Sequence, residues 1–218
     1  MKNYLCFMLM LWAGLAHAQQ EDNIAAALKL FDDAKNQAGM IASTEAMQKL
    51  SDARPDDWIA AYWAAYFNSQ TGRNSNAPMD YYEKAQTYYD RAFAALKEKS
   101  PVESSDFHTL QSLIHNLVAS VYWSKGDRQN GTLMSQKASA ALSLAIKAYD
   151  KNPRVYLLTG TDLISNGQRI QNNSWVMAGK EMLEKAQKLY ISEKPASDIA
   201  PSWGGGWIKF WLSRAQTD

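Results

Sequence analysis

Residues 153–186, PRVYLLTGTDLISNGQRIQNNSWVMAGKEMLEKA, carry the spacing that decides the fold. Tyr156, Gly160, Leu163 and Gly167 alternate large and small at steps of four, three and four residues. Steps of that kind put side chains on one face of a helix. Gly179, Leu183 and Ala186 give a companion pattern of small, large, small. Small residues let two helices approach closely, and large ones fill the space beside them. The stretch therefore predicts an antiparallel helix pair, 154–166 and 175–191, turning at Ser165-Asn166-Gly167.

The same spacing recurs upstream. His115, Ala119, Tyr122 and Gly126 repeat the first-helix pattern, and Trp58, Tyr62 and Ala65 keep its steps with the sizes partly reversed. Ala85, Tyr89 and Ala92 repeat the second-helix pattern, and Ala141, Ala145 and Ala148 keep its spacing. Ala, Leu, Lys, Glu and Gln dominate throughout and favour helix. Alternating β-branched runs are missing, so no strand is expected. Thr71-Gly72-Arg73-Asn74 and Lys125-Gly126-Asp127 read as helix stops. Pro55, Pro78, Pro101 and Pro153 read as helix starts, and Asp56 and Asp57 as first-turn acids. The further helices are expected at 21–36, 41–53, 56–70, 78–99, 104–124, 129–150 and 205–215. No single pair buries its apolar face alone, so the pairs should stack into one domain over 19–218.

The chain resembles the tetratricopeptide repeat family over about residues 56–191. Its second helices start late, leaving insertions against the usual period of about 34 residues. A narrower resemblance covers most of the chain. Trp58-Ile-Ala-Ala-Tyr62-Trp-Ala-Ala-Tyr66, Asn152-Pro-Arg-Val-Tyr156 with Gly160, Gly179-Lys180 with Leu183-Glu-Lys-Ala186, and Pro201-Ser-Trp203-Gly204 look like segments of small secreted tetratricopeptide-repeat proteins of the Bacteroidetes group. That resemblance implies an all-α, tetratricopeptide-like α-solenoid in the cell envelope. It implies no reaction and carries over no site residues. The chain departs from the pattern after Gly204, where three glycines and Trp207 stand in place of a more polar helix.

Residues 1–18 read as a signal peptide cleaved after Ala18. Lys2 precedes an apolar run from Tyr4 to Leu15, and Ala16-His17-Ala18 supplies the small residues a signal peptidase reads. The expected location is periplasmic or secreted, with no transmembrane segment after cleavage. Cys6, the sole cysteine, falls inside the leader, so the mature chain is expected to hold no disulfide and no thiolate. Of 23 Lys plus Arg and 22 Asp plus Glu, removal of Lys2 leaves 22 of each sign. A neutral chain without a basic stripe argues against nucleic acid.

Candidate chemistry is sparse. His108 and His115 are seven apart, not the three or four of a helical metal pair, and read as interface histidines. Gly204-Gly205-Gly206 has no preceding strand and no following Lys-Ser or Lys-Thr, so it is no phosphate loop. No nucleophile, metal set or acid–base pair emerges, and the expectation is a protein that is not an enzyme, with no cofactor and no metal.

The aromatics admit two readings. Trp58, Trp63, Trp123, Trp175, Trp203, Trp207 and Trp211 could fill the core, as aromatics usually do. Alternatively, first-helix residues one step from the packing positions line a concave groove: Trp63, Tyr66, Phe67, Asn116, Ser120, Trp123, Thr161 and Ile164. Such a groove suits an extended peptide or a sugar. Trp203, Trp207 and Trp211 recur every four residues and read as one face of a C-terminal capping helix, with an open contact surface as the other reading. The leading functional expectation is a non-catalytic envelope module that binds or scaffolds a protein or peptide partner. The alternative is a small-ligand or glycan-binding accessory of an uptake system.

Overall fold

A computed structural model describes residue 19 and residues 21–215. The expected leader, its cleavage site and Cys6 lie outside the described residues. Among them the chain is helical, with no strand. Residues 21–32 form α1. Then follow α2 (Gln37–Ala53), α3 (Trp58–Gly72), α4 (Pro78–Ala95), α5 (Pro101–Ser124), α6 (Arg128–Ala148), α7 (Pro153–Arg169), α8 (Asn173–Ser192) and α9 (Trp207–Arg214).

Local chemistry explains the starts. Pro78, Pro101 and Pro153 each stand at the head of a helix, where the missing N–H costs nothing. Asp57 caps α3 from outside, accepting from the Ile59 and Ala60 amides, so it precedes the first turn. Ser100 caps α5 with a full capping box through Glu103.

The stops divide. Gly126 takes φ 77° after α5, and Asp127 N–H returns to the Tyr122 carbonyl, which gives the left-handed glycine stop expected there. α7 does not stop at Gly167. It runs on to Arg169, and the left-handed position falls on Gln171 (φ 56°), with Asn172 N–H bonded to the Gly167 carbonyl. Gly167 has a different duty: a Cβ there would sit 2.9 Å from Val176 Cγ2 and 3.0 Å from the Asn172 carbonyl oxygen.

The heaviest packing joins α3 with α4, α5 with α6 and α7 with α8. Gly160 and Gly179 meet where α7 crosses α8, each facing the other's carbonyl oxygen at 2.8 Å from an added Cβ. That contact is the close approach the small residues foreshadowed. At α5 and α6, Trp123 covers Gly131, and Ser105 Oγ donates 2.9 Å to the Ala145 carbonyl.

α3 is the central element. Every residue from Ala60 to Gly72 is buried. Tyr62, Trp63, Tyr66 and Phe67 pack with Phe31, Phe107 and Trp203 in a continuous aromatic cluster. Burying rings of that size supplies much of the core's driving force.

After α8 the chain does not continue as a repeat. Residues 193–206 return as an arm across α3 and α7. Trp63 Nε1 donates 2.7 Å to the Ile199 carbonyl, and Trp203 Nε1 donates 2.8 Å to Tyr62 Oη. Tyr190 Oη donates 2.8 Å to the Trp203 carbonyl, and Arg154 donates to the Pro201 carbonyl. Trp203 lies before α9, with Gly204 at φ 98° between them. The three tryptophans therefore do not share one helix face, because the left-handed turn at Gly204 breaks the register.

Candidate functional site

Two cavities open beside α3, α5 and α7, the second of them walled in part by the C-terminal arm. One, about 470 Å³, is lined by α5 and α7 residues together with Arg73, Tyr82, Trp207 and Trp211. The other, about 480 Å³, lies between Phe31, Trp63, Tyr66, Phe67 and Trp203, with the Gly204-Gly205-Gly206 backbone at its edge. Trp207 borders both. Each volume falls in the range of small-molecule sites, roughly 300–1,000 Å³.

Six of the eight residues expected on a groove line these cavities. Asn116, Ser120 and Thr161 line the first cavity. Trp63, Tyr66 and Phe67 line the second, but they are 3%, 7% and 1% exposed, so they serve as its floor and as core at once. Two do not belong. Trp123 is 45% exposed and lies over Gly131, in the seam between α5 and α6. Ile164 is fully buried against Gly179, in the α7–α8 crossing. Both miss for one reason: the helices are rotated so that these positions face the partner helix and not the groove.

Four contributors to the first cavity are invisible in helix periodicity. Arg73 follows the end of α3 and sets its guanidinium 5.1 Å from the Trp207 ring centroid. Desolvation by the cavity walls lowers its pKa. Trp207 and Trp211 arrive on α9, which the arm delivers. Asp162, beside Thr161 on α7, lines the same cavity. Burial lifts its carboxyl to about 6, against the 3.0 Å bond that Asn116 Nδ2 donates to it. Helix spacing gives no signal for this pair, which brings α5 and α7 together across 46 residues of sequence.

The lining is thus flat and aromatic on one side, aliphatic at Leu113, Leu117 and Leu158, and edged with hydroxyls, amides, one cation and one titratable acid. Such a site suits a planar, largely apolar ligand with a polar margin. His108 and His115 line neither cavity. Burial lowers both of their pKa values, and both Nδ1 atoms lack a partner. Among the described residues no three His, Cys, Asp or Glu gather to hold a metal ion. No helix among them is long and apolar enough to cross a membrane.

No family model matches the sequence, and no curated protein matches it. The fold is similar to that of a solved structure, the HusA haemophore from Porphyromonas gingivalis. The likeness has a TM-score of 0.71 at 18% identity and spans 90% of this chain and 92% of that one. At that identity the likeness is one of fold.

Proposed function

We propose that this chain is a secreted, non-catalytic carrier of a planar amphipathic ligand of the haem or porphyrin class, serving an uptake system. Its helices are read as a tetratricopeptide-like solenoid of antiparallel pairs, and the face of α3, α5 and α7 holds the cargo. One observation carries the reading: Trp207 and Trp211 wall a cavity whose edge holds Arg73 over an indole ring. Aromatic faces stack on a macrocycle, and a guanidinium pairs with its carboxylate. The similarity of fold to a haemophore supports the same reading.

The protein-scaffolding alternative is weaker on physical grounds. An extended peptide needs a continuous open groove. Here the arm crosses that face and consumes the Trp63 indole N–H. What remains are two molecule-sized cavities in place of one continuous groove.

The cavities contain no histidine, so recognition rests on the ring and its carboxylates and not on an axial imidazole. Tyr82 is the one phenol in the first cavity, and burial raises its pKa, keeping it neutral. Haem and metal-free protoporphyrin should therefore bind comparably. The test is titration of the purified protein with each, read by quenching of tryptophan fluorescence. Saturable binding is expected, weakened about tenfold (1.4 kcal/mol) by Arg73→Gln and by Trp211→Ala. No saturation with either ligand, or full affinity in both variants, would overturn the proposal.

A further inference from the structure

A third cavity, about 660 Å³, opens on the opposite edge, where α3, α5 and α7 begin and α8 ends. Its walls are largely apolar, from Trp58, Ile59, Val102, Leu189, Ala200 and Pro201. Its floor is a buried polar hub. Arg154 is 1% exposed, and its Nη1 donates 3.2 Å to Asp106 and 2.7 Å to Glu193. Asn152 Nδ2 donates 2.8 Å to the same Asp106 oxygen.

The lining carries three acids, Glu103, Asp106 and Glu193, and three bases, Lys151, Arg154 and Lys194, but they are unevenly paired. Each acid is answered: Glu103 by the Ser100 amide, Asp106 by Asn152 and Arg154, Glu193 by Arg154. The cations are not all answered. Arg154 Nε is buried without a partner. Lys151 and Lys194 line the cavity, are exposed, and engage no described residue. The N-termini of α5 and α7 add positive partial charge from the backbone. An apolar cavity of ligand size with two unpaired lysines at its exposed margin suits an apolar body carrying one anionic group.

We infer that this cavity is a second ligand site, distinct from the cargo face, for an amphipathic monoanion of the fatty carboxylate type. The carboxylate lies between Lys151 and Lys194, and the chain lies along Val102, Leu189 and Ala200. The inference does not rest on the porphyrin reading.

The experiment is calorimetric titration of the purified protein with sodium laurate below its micelle concentration. Decanol serves as an uncharged control. Phosphatidylcholine vesicles doped with phosphatidylglycerol test for surface binding. One saturable laurate site is expected, with decanol weaker. The Lys151→Ala/Lys194→Ala double variant should lose about tenfold in affinity with an unchanged melting temperature, because both lysines are exposed and unpaired. Ala200→Trp should fill the cavity and abolish laurate binding, while a wild-type far-ultraviolet circular dichroism spectrum and a cooperative melt show that it is folded. Four results would each overturn the site: no laurate binding, wild-type affinity in both variants, displacement of laurate by porphyrin, or binding to vesicles alone.

Discussion

At Gln171 the backbone takes φ 56°, a left-handed conformation that costs a residue with a Cβ roughly 1–2 kcal/mol. Gln171→Gly should therefore raise stability by about 1 kcal/mol, as a higher urea midpoint at constant slope. Gly179→Ala should do the reverse. Its Cβ would sit 2.7 Å from Ile164 Cγ1 and 2.8 Å from the Gly160 carbonyl oxygen. Overpacking costs about 1–3 kcal/mol, more than the ~1 kcal/mol that alanine returns in helix propensity. Helix spacing made Gly160 and Gly179 legible, because close approach demands small residues at fixed steps. It could not reveal Gln171, since a glutamine gives no sign of a left-handed turn. Asp162 supplies a pH dependence. Its pKa near 6 stands above the ordinary 3.8, so between those values the folded chain holds a proton that the unfolded chain lacks. Burying the carboxylate costs stability above about 6, and the cost fades as pH falls toward 3.8. The same charge repels a ligand carboxylate, which stays largely ionised over most of that window. Porphyrin affinity should thus rise as pH falls through about 6, and Asp162→Asn should flatten the profile. An unchanged profile in that variant would remove Asp162 from the site.

Among the helices, caps of similar type carry different weights. Ser100 is exposed and caps only α5, through the Glu103 amide at 3.2 Å and the return bond from Glu103. Asn152 caps α7 at the Arg154 amide, and its side chain also bonds Ser105, Asp106 and Arg154 inside the core. Ser100→Ala should cost about 1 kcal/mol. Asn152→Ala should cost about 3 kcal/mol, because it strips a donor from a buried carboxylate that burial already lifts to about 6, together with the cap and the bond to Ser105. Equal shifts in the thermal midpoint of the two variants would contradict this ranking. Sequence made these helices legible through Pro101 and Pro153 at their starts, to within a few residues. α9 was less legible. Its expected start at 205 falls to Trp207, and Trp203, Trp207 and Trp211 look like one stripe until Gly204 takes its left-handed turn. The site suffered in proportion. Asn116, Ser120 and Thr161 were reachable from the register of α5 and α7, whereas Arg73 and the α9 tryptophans depend on where a loop and an arm come to rest.

Over the whole molecule, the arm ties distant helices together and delivers α9 to the proposed cargo face. Stacked helix pairs that touch only their neighbours tend to unfold in stages. Here Trp63 bonds Ile199 and Trp203 bonds Tyr62, across 136 and 141 residues of sequence. Arg154 ties the arm to α5 through Asp106 as well. The C-terminal arm is thus joined to α3 and α5, and one unfolding transition is expected, with coincident circular dichroism and tryptophan fluorescence. A chain ending at Ser192 removes the arm and α9 together. It leaves Tyr62, Trp63 and Tyr66 uncovered and the Arg154 hub short of two partners, so it should unfold at lower urea and in separated stages. Ligand linkage tests the same dependence. A ligand that binds only the folded state, at a hundred times its dissociation constant, stabilises by about 2.7 kcal/mol. Protoporphyrin should raise the intact chain's stability by that amount and leave the truncated chain unmoved, because Trp207 and Trp211 leave with α9. Equal stabilisation of both chains would place the cargo on a surface the arm does not build.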